Sequence, residues 1–362
     1  MYLPDPRHFP RVDPKNDYIR QVMRVLTARE QAEREEAGGA LAVLLDAALQ
    51  HGDDAALQQA LALSPSQEAY KYLWNELRDS IEAIPEGGTR AVVFALPILM
   101  VAAGTRGQVN VGGRLRDMNP LLAILAEHGV IASPREISLS PVLLSLQSLQ
   151  QWQPSQLHRW SRQLQDAARG VPLELQPDEV VAADEAVHLR FLVGVALQRA
   201  GEAAPVRLGG DAGKWGMKLA EELNRQLKQD NLSLLAIPRP PQPLLQALYN
   251  GRFARYELGL QLVVSRTIRK IRQAGETPVA VLAAHEGNEL RITISARENS
   301  ERWEGFVWPL HPLDSVELIC DNSVALLREC QVNDIRIQTE VKPDVQDGLP
   351  LFLCAHDTTA GE

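Results

Sequence analysis

The sequence predicts an α+β protein with a helical N-terminal unit, an α/β centre and a C-terminal β-hairpin region with a helix. Apolar residues recur at helical spacing through the first 86 residues. The centre contains two apolar runs, each followed by a Gly-Gly turn and a helical pattern. Alternating apolar residues flank a Gly-Asn turn near the end. We expect domain boundaries at 1–86, 87–275 and 276–362, the last with a flexible tail.

Composition limits the class of protein. A chain of 362 residues exceeds one average domain. Its net charge of −9 argues against a nucleic-acid partner, whose binding protein is normally rich in Lys and Arg. Cys320, Cys330 and Cys354 form no C-x-x-C pair, so the sequence predicts free thiols and no zinc site.

One apolar run is the candidate for a membrane segment. Ala91–Gly104 spans fourteen residues and contains Pro97, whereas a spanning helix needs about 20 apolar residues. The first residues lack the apolar run of a signal peptide. We therefore predict a soluble, cytoplasmic protein with no membrane span.

The helical unit begins after a proline-marked arm. Asp17 is the predicted N-cap of the first helix, with Ile19, Val22 and Leu26 on one face. This first helix is predicted to run through residues 18–36, and Gly38 and Gly39 are predicted to interrupt it.

The centre starts with a predicted strand. Ala91–Ala103 has no helical period, which is typical of a strand buried on both faces. Pro97 within it predicts an edge, a bulge or a short helix at that point. Ser140-Pro141 is predicted to begin a helix that runs to about Trp152.

The centre also contains a candidate repeat. A shift of 97 residues without gaps aligns residues 91–125 with 188–222, pairing Phe94 with Phe191. From Phe94 to Ala123 the alignment gives eight identities in thirty columns, where average composition predicts about two. An ancient duplication would explain the shared order of apolar run, Gly-Gly turn and helix.

The remaining segments are a connector, a helix and a β region. Pro238–Pro243 is predicted to be a rigid extended connector into a helix over Leu244–Gln273. Two strands are expected around Gly287-Asn288, followed by a strand containing Phe306 and Trp308, a helix and a final strand.

The stretch "RLGGDAGKWG" (207–216) invites comparison with a phosphate-binding loop. Trp215 stands where that motif requires Ser or Thr, and Gly209 is one position too close to Gly213. We predict a structural turn in which Asp211 caps the next helix. The alternative is an anion site at the glycines and the helix start. Its candidate residues, with those of the sister turn, are Gly209, Gly210, Lys214, Gly112, Gly113, Arg114 and Arg116.

Two groups of residues are candidates for a protein interface. The basic group could face an acidic partner or simply lie on the solvent side of an amphipathic helix. The aromatic group could line a contact surface or cover the core of the β region. The groups are Arg266, Arg269 and Lys270, and Trp303, Phe306 and Trp308.

No motif assigns a reaction or a cofactor. The segment "HEGNE" at His285–Glu289 ends in Glu and lies in a turn, so it lacks the two helical ligands of a zinc peptidase. No G-x-S-x-G is present. The sequence therefore favours a non-catalytic binding or assembly protein with a protein partner. The alternative is an enzyme or a small-molecule or anion-binding protein, with a cleft between the two central halves. Oligomeric state and cofactor stay open.

Overall fold

The computed structural model confirms the α+β class. It describes residues 16–82, 85–86, 89–103, 113–133, 137–146, 149, 153–159, 162, 187–199, 201–227, 233–285, 288–299 and 301–338. Contacts between Cα atoms divide the chain into two compact units, Arg11–Arg255 and a second containing Tyr256–Glu362. The three predicted domain boundaries stay a prediction.

Helices form the start of the first unit. They are α1 (Asp17–Thr27), α2 (Gln31–His51), α3 (Asp54–Ala62) and α4 (Gln67–Glu82). Asn16, rather than the predicted Asp17, caps α1, because its side chain accepts the Ile19 N–H at 3.1 Å. Helix α2 continues through Gly38 and Gly39. A Cβ on Gly38 would lie 3.7 Å from the Tyr72 hydroxyl oxygen, so the small residue lies where α4 packs.

An antiparallel sheet forms the centre of the first unit. Its strands are β1 (Pro85–Glu86), β2 (Thr89–Ala103), β3 (Ile137–Ser145), β4 (Val187–Arg199), β5 (Ser233–Pro238) and β6 (Gln242–Pro243). Strand β2 pairs with β4 along one side and with β5 and β6 along the other. Strand β1 pairs with the start of β2, and β3 pairs with the other side of β4.

Helices cover both faces of this sheet. Phe94 and Leu192 contribute to one apolar cluster with leucines of α5 (Asn119–Glu127) and α6 (Gly216–Leu227). On the other face, Phe191 packs against Gly251 of α7 (Leu244–Gln273). The predicted strand buried on both faces is therefore confirmed.

Pro97 lies within β2 without a bulge in the β2–β4 register. The Arg239 N–H donates to the Pro97 carbonyl at 2.8 Å, just beyond the end of β5. The missing N–H of Pro97 therefore faces the point where the neighbouring strand ends, as the prediction of a local edge implies.

The predicted helix at Ser140-Pro141 is wrong, because both residues belong to strand β3. The register with β4 shifts between Leu139 and Leu143. Within this irregularity the Ser140 hydroxyl accepts the Val142 N–H at 3.1 Å, and the Pro141 carbonyl accepts the Leu115 N–H at 2.8 Å. A Ser-Pro pair suits a bulge as well as a helix start, since neither requires the proline N–H.

The second unit contains a four-stranded sheet in the order β10-β7-β8-β9, in which β10 is parallel to β7 and the other pairs are antiparallel. The predicted hairpin, aromatic strand, helix and final strand are all present. They are β7 (Pro278–His285), β8 (Glu289–Ala296), β9 (Trp303–Pro309), α8 (Val316–Glu329) and β10 (Asp334–Gln338).

The two halves of the candidate repeat share an element order, but their corresponding phenylalanines lie on opposite faces of the sheet. Strand β2 precedes α5, and β4 precedes α6. Phe94 faces these two helices, whereas its counterpart Phe191 packs on the opposite face against Gly251. Phe94 lies opposite Gly194 in the β2–β4 register, and Phe191 is three residues from Gly194, so its side chain lies on the other face. The duplication is not confirmed and stays a prediction.

No helix within the described residues is long and apolar enough to cross a membrane. The predicted flexible tail beyond Pro343 lies outside the described residues.

Candidate functional site

The stretch 207–216 forms a turn that leads into α6. Gly209 and Gly210 have φ angles of 75° and 90°, a conformation that favours glycine. The Gly209 N–H donates to the Pro241 carbonyl at 2.7 Å, which ties the turn to the segment after β5. Arg207 and Lys214 are exposed.

Asp211 stabilises this turn rather than the first turn of α6. Its Oδ1 accepts the Gly213 N–H at 2.8 Å, a contact over two residues, and α6 begins only at Gly216. The carboxylate thus forms an Asx turn instead of the predicted N-cap. It also lies where a phosphate would have to approach the helix start.

An open cleft of about 470 Å³ runs along this turn. The turn and the first residues of α6 form one side, and β5 with the following segment forms the other. Its wall includes Met217, which is 71% exposed, and Leu235, which is 57% exposed. Two exposed large apolar side chains at one cleft make this cleft a candidate contact surface.

Arg239 supplies a positive charge to the wall of this cleft. Its Nε is buried and has no hydrogen-bond partner among the residues that the structure describes. A buried donor without an acceptor costs about 1–3 kcal/mol. An acceptor group in the cleft would remove that cost.

Charges near the cleft are partly neutralised. Lys218 of α6 forms an ion pair with Glu127 of α5 at 2.8 Å, and this hydrogen bond lowers the pKa of the Glu127 carboxyl. Arg225 similarly lowers the pKa of Glu222. Neither pair belongs to the cleft wall, where Arg239 is the only cation among the described lining residues.

The sister turn has a structural role where it is described. A Cβ on Gly113 would lie 2.7 Å from the Leu143 carbonyl oxygen, and the Gly113 carbonyl accepts the Leu143 N–H. The side chains of Arg114 and Arg116 are exposed. Gly112 lies outside the described residues. Among the described residues, no backbone hydrogen bond joins Gly113 to Gly209 or Gly210.

Gln226 connects the two central segments. Its Oε1 accepts the N–H groups of Arg116 at 2.9 Å and Asp117 at 3.1 Å, and its Nε2 donates to the Asp117 carbonyl at 2.7 Å. The side chain is 5% exposed. The loop that carries Arg116 is therefore held by α6, although its guanidinium stays at the surface.

All three aromatic interface candidates belong to the second unit, and two of them are buried or half-buried. Trp308 is 2% exposed, and its ring centroid is 5.8 Å from that of Tyr256. Phe306 is half-buried, and a Cβ on Gly259 would lie 3.2 Å from its ring. Trp303 is the most exposed of the three, at 40%.

Two of the basic interface candidates contact a carboxylate of the second unit, and the third is exposed at a second cleft. Arg266 is ion-paired with Glu304, and Lys270 lies 3.9 Å from the same carboxylate. Thr267 donates to Glu304 at 2.6 Å, so these contacts attach α7 to β9. Arg269 is exposed and lines a second cleft, of about 450 Å³.

This second cleft also contains one of the cysteines. Cys330 is half-buried in its wall, and its carbonyl accepts from Arg272 Nη2 at 2.7 Å. Cys320 is buried, and burial raises the pKa of its thiol. Both described cysteines are free, whereas Cys354 lies outside the described residues.

Three residues of the first cleft escaped the sequence analysis: Met217, Leu235 and Arg239. Met217 lies off the buried stripe of α6 that contains Leu219, Leu223 and Leu227. An apolar residue on the polar face of an amphipathic helix is the signal that could have identified it. Within the described chain, no three His, Cys, Asp or Glu side chains come together as a metal site.

Comparison with known proteins gives no relative. No family model, no curated protein and no solved structure matches the chain.

Proposed function

We propose that this is a non-catalytic binding or assembly protein that acts through protein–protein contacts at the first cleft. The observation that carries the proposal is the exposure of Met217 and Leu235 at one open cleft. Burial of apolar area is the main favourable term in most protein associations. The partner is a protein rather than a nucleic acid, in keeping with the net charge of −9.

A cytoplasmic location belongs to the same proposal. Free Cys320 and Cys330 are typical of a reducing compartment. Fractionation of the cell extract used to find the partner should leave the protein in the cytosolic fraction. Retention in the membrane pellet after a high-salt wash would contradict this location.

The experiment combines capture with measured affinity. The tagged full chain captures a partner from cell extract, and the partner is identified and purified. The double substitution Met217→Asp and Leu235→Asp should then raise the Kd at least about tenfold, because it places charge where apolar surface is buried.

Leu318→Asp provides the matched control. Leu318 is 53% exposed on α8 and belongs to the other unit, not to the residues that line the cleft, so its substitution should leave the Kd unchanged. An unchanged Kd in the double variant, or an equal loss in Leu318→Asp, would assign binding to another surface.

A second candidate function is binding of a small anionic molecule, with or without chemistry, in the same cleft. The buried Arg239 Nε without a partner favours it. A thermal-shift screen over nucleotides, phosphate, sulfate and apolar carboxylates tests it. Ligand at a hundred times its Kd should stabilise the fold by about 2.7 kcal/mol.

Two variants assign any shift that the screen finds. A carboxylate held by Arg239 should lose its effect in Arg239→Met and keep it in Lys214→Ala. A nucleotide shift that Lys214→Ala abolishes would instead support the phosphate-binding alternative for the turn. No shift with any compound would contradict the second candidate.

A further inference from the structure

The outer edge of β5 determines what can bind in the first cleft. In the part of the chain that the structure describes, β5 pairs only with β2. The Arg239 N–H donates to the Pro97 carbonyl, which continues the β2–β5 register. Backbone groups in a strand alternate in direction. Odd-numbered residues of β5 therefore direct their backbone groups towards β2, and even-numbered residues direct theirs outwards.

This alternation defines the groups that the edge offers. Leu234 and Ala236 each present an N–H and a carbonyl to the outer side, whereas Pro238 presents only a carbonyl. Two donors and three acceptors along six residues match the requirements of one short added strand.

The cleft of about 470 Å³ lies along this edge, and a Cβ on Gly216 would lie 3.9 Å from the Pro238 carbonyl oxygen, so the edge is most open at Leu234 and Ala236. The α6 residues that line the cleft are Gly216, which has no side chain, Ala220, whose side chain is a methyl group, and the exposed Met217. An added strand lies about 4.7–4.9 Å from its neighbour. Its side chains alternate between the two faces, so those on the face of Ala236 and α6 can contact Met217, and those on the other face can contact Leu235.

Charge complementarity identifies one further property of the occupant. Of the described lining residues, Arg239 is the cation and Asp211 the anion. The Asp211 carboxylate is engaged by the Gly213 N–H, whereas the buried Arg239 Nε has no partner among the described residues. A carboxylate is the acceptor that a guanidinium binds best.

We propose that an extended segment of a partner protein adds to β5 as a further strand, with apolar side chains at alternate positions and an Asp or Glu opposite Arg239. This inference rests on the proposed function, because it names the kind of segment that the same cleft binds. Main-chain hydrogen bonds supply affinity in this mode, and the alternate side chains supply specificity.

The probe is a displayed library of random eight-residue peptides, selected against the full chain. Enriched peptides should share alternating apolar residues and one acidic residue. A synthetic enriched peptide is then methylated at one backbone nitrogen at a time. Methylation of alternate amides, those that face β5, should weaken binding at least about tenfold, while methylation of the others should leave the Kd unchanged.

Two protein variants locate the bound peptide. Ala236→Pro removes an outward N–H that the sheet does not use and should raise the Kd at least about tenfold. Arg239→Met and an Asp-to-Asn change in the peptide should each weaken binding, with a combined effect smaller than the sum of the two. The methylated peptides test the edge even if Ala236→Pro fails to fold.

Several results would overturn strand addition: no enriched peptide, no alternation in the methylation series, or an unchanged Kd in a folded Ala236→Pro variant. These failures are distinguishable from failure of the proposed function. If the double substitution Met217→Asp and Leu235→Asp still prevents capture of the purified partner, the proposed contact surface is supported and only the proposal of strand addition is rejected. A small molecule as the occupant would shift the melting temperature while peptides do not bind.

Discussion

Asp211 shows how one carboxylate fixes the character of the turn before α6. Its acceptance of the Gly213 N–H orders two residues of an exposed loop, and the helix begins three residues later. A phosphate at the same place would meet a negative charge and an occupied N–H. This contact favours the predicted structural turn, and the anion site stays the alternative that the ligand screen tests.

Asp211→Ala should lower the free energy of unfolding by about 0.5–1 kcal/mol, the lower part of the range for lost caps. The loss is small because the Asx turn is exposed and precedes the helix. Lys214→Ala should change it by less than about 0.5 kcal/mol, as is usual for an exposed side chain. Urea unfolding of both variants measures these values.

Ser315→Ala is the comparison within the same protein. Ser315 is a true N-cap of α8, where its hydroxyl accepts the Leu318 N–H. Its loss should cost about 1 kcal/mol. A cost for Asp211→Ala well above that of Ser315→Ala would mean that Asp211 stabilises α6 itself.

Residues at positions whose backbone conformation favours one residue type were predictable from the sequence. The positive φ angles of Gly209 and Gly210 fit the predicted Gly-Gly turn. Arg239 gave no such signal, because an arginine between prolines has no periodicity or motif. Its importance depends on a buried Nε, and burial at that point is decided by distant segments.

At the scale of elements, α4 carries two tyrosines with raised pKa values. Burial raises the pKa of Tyr70 to about 12. Burial and the neighbouring Glu76 raise that of Tyr72 to about 12. An unperturbed tyrosine titrates near 10. The folded state therefore holds these protons more tightly than the unfolded state does.

The stability supplied by these protonated tyrosines should be present below pH 10 and should be lost as pH rises from about 10 to 12. Tyr70→Phe removes one titrating group. The decline in the free energy of unfolding across this window should become shallower by up to about 1.4 kcal/mol per pH unit, the value for one proton. Urea unfolding at a series of pH values measures it.

The interval from pH 7 to 9 provides the control for Tyr70→Phe. Tyr70 titrates in neither the folded nor the unfolded state in this interval. The difference in free energy of unfolding between the variant and the natural chain should therefore stay constant. Equal slopes for the two proteins between pH 10 and 12 would mean that Tyr70 titrates normally in the folded state.

Elements with a clear period were predicted correctly, and ambiguous ones were not. Helix α7 has the predicted bounds Leu244–Gln273, because its apolar pattern is long and is framed by prolines and Gly275. Strand β3 was predicted as a helix, since Ser140-Pro141 is compatible with both a helix start and a bulge. Only its pairing with β4, which is distant in sequence, decides between them.

At the scale of the whole molecule, the α+β class followed from the order of local patterns, and the arrangement of the central sheet did not. Antiparallel pairing of β2 with β4 joins segments about a hundred residues apart. The cleft arises from the pairing of β5 with β2 and the packing of α6 beside it. No local signal in the sequence carries that information.

Pro238 also limits self-association of the chain through the edge of β5. An exposed strand edge can pair with the edge of another chain, and repeated pairing of this kind leads to fibrils. Here the outward row of donors stops at a residue that has no N–H, and the chain continues through Pro240 and Pro241. Such an edge can bind one short extended segment, but it has too few backbone donors to support repeated strand addition between copies of the chain.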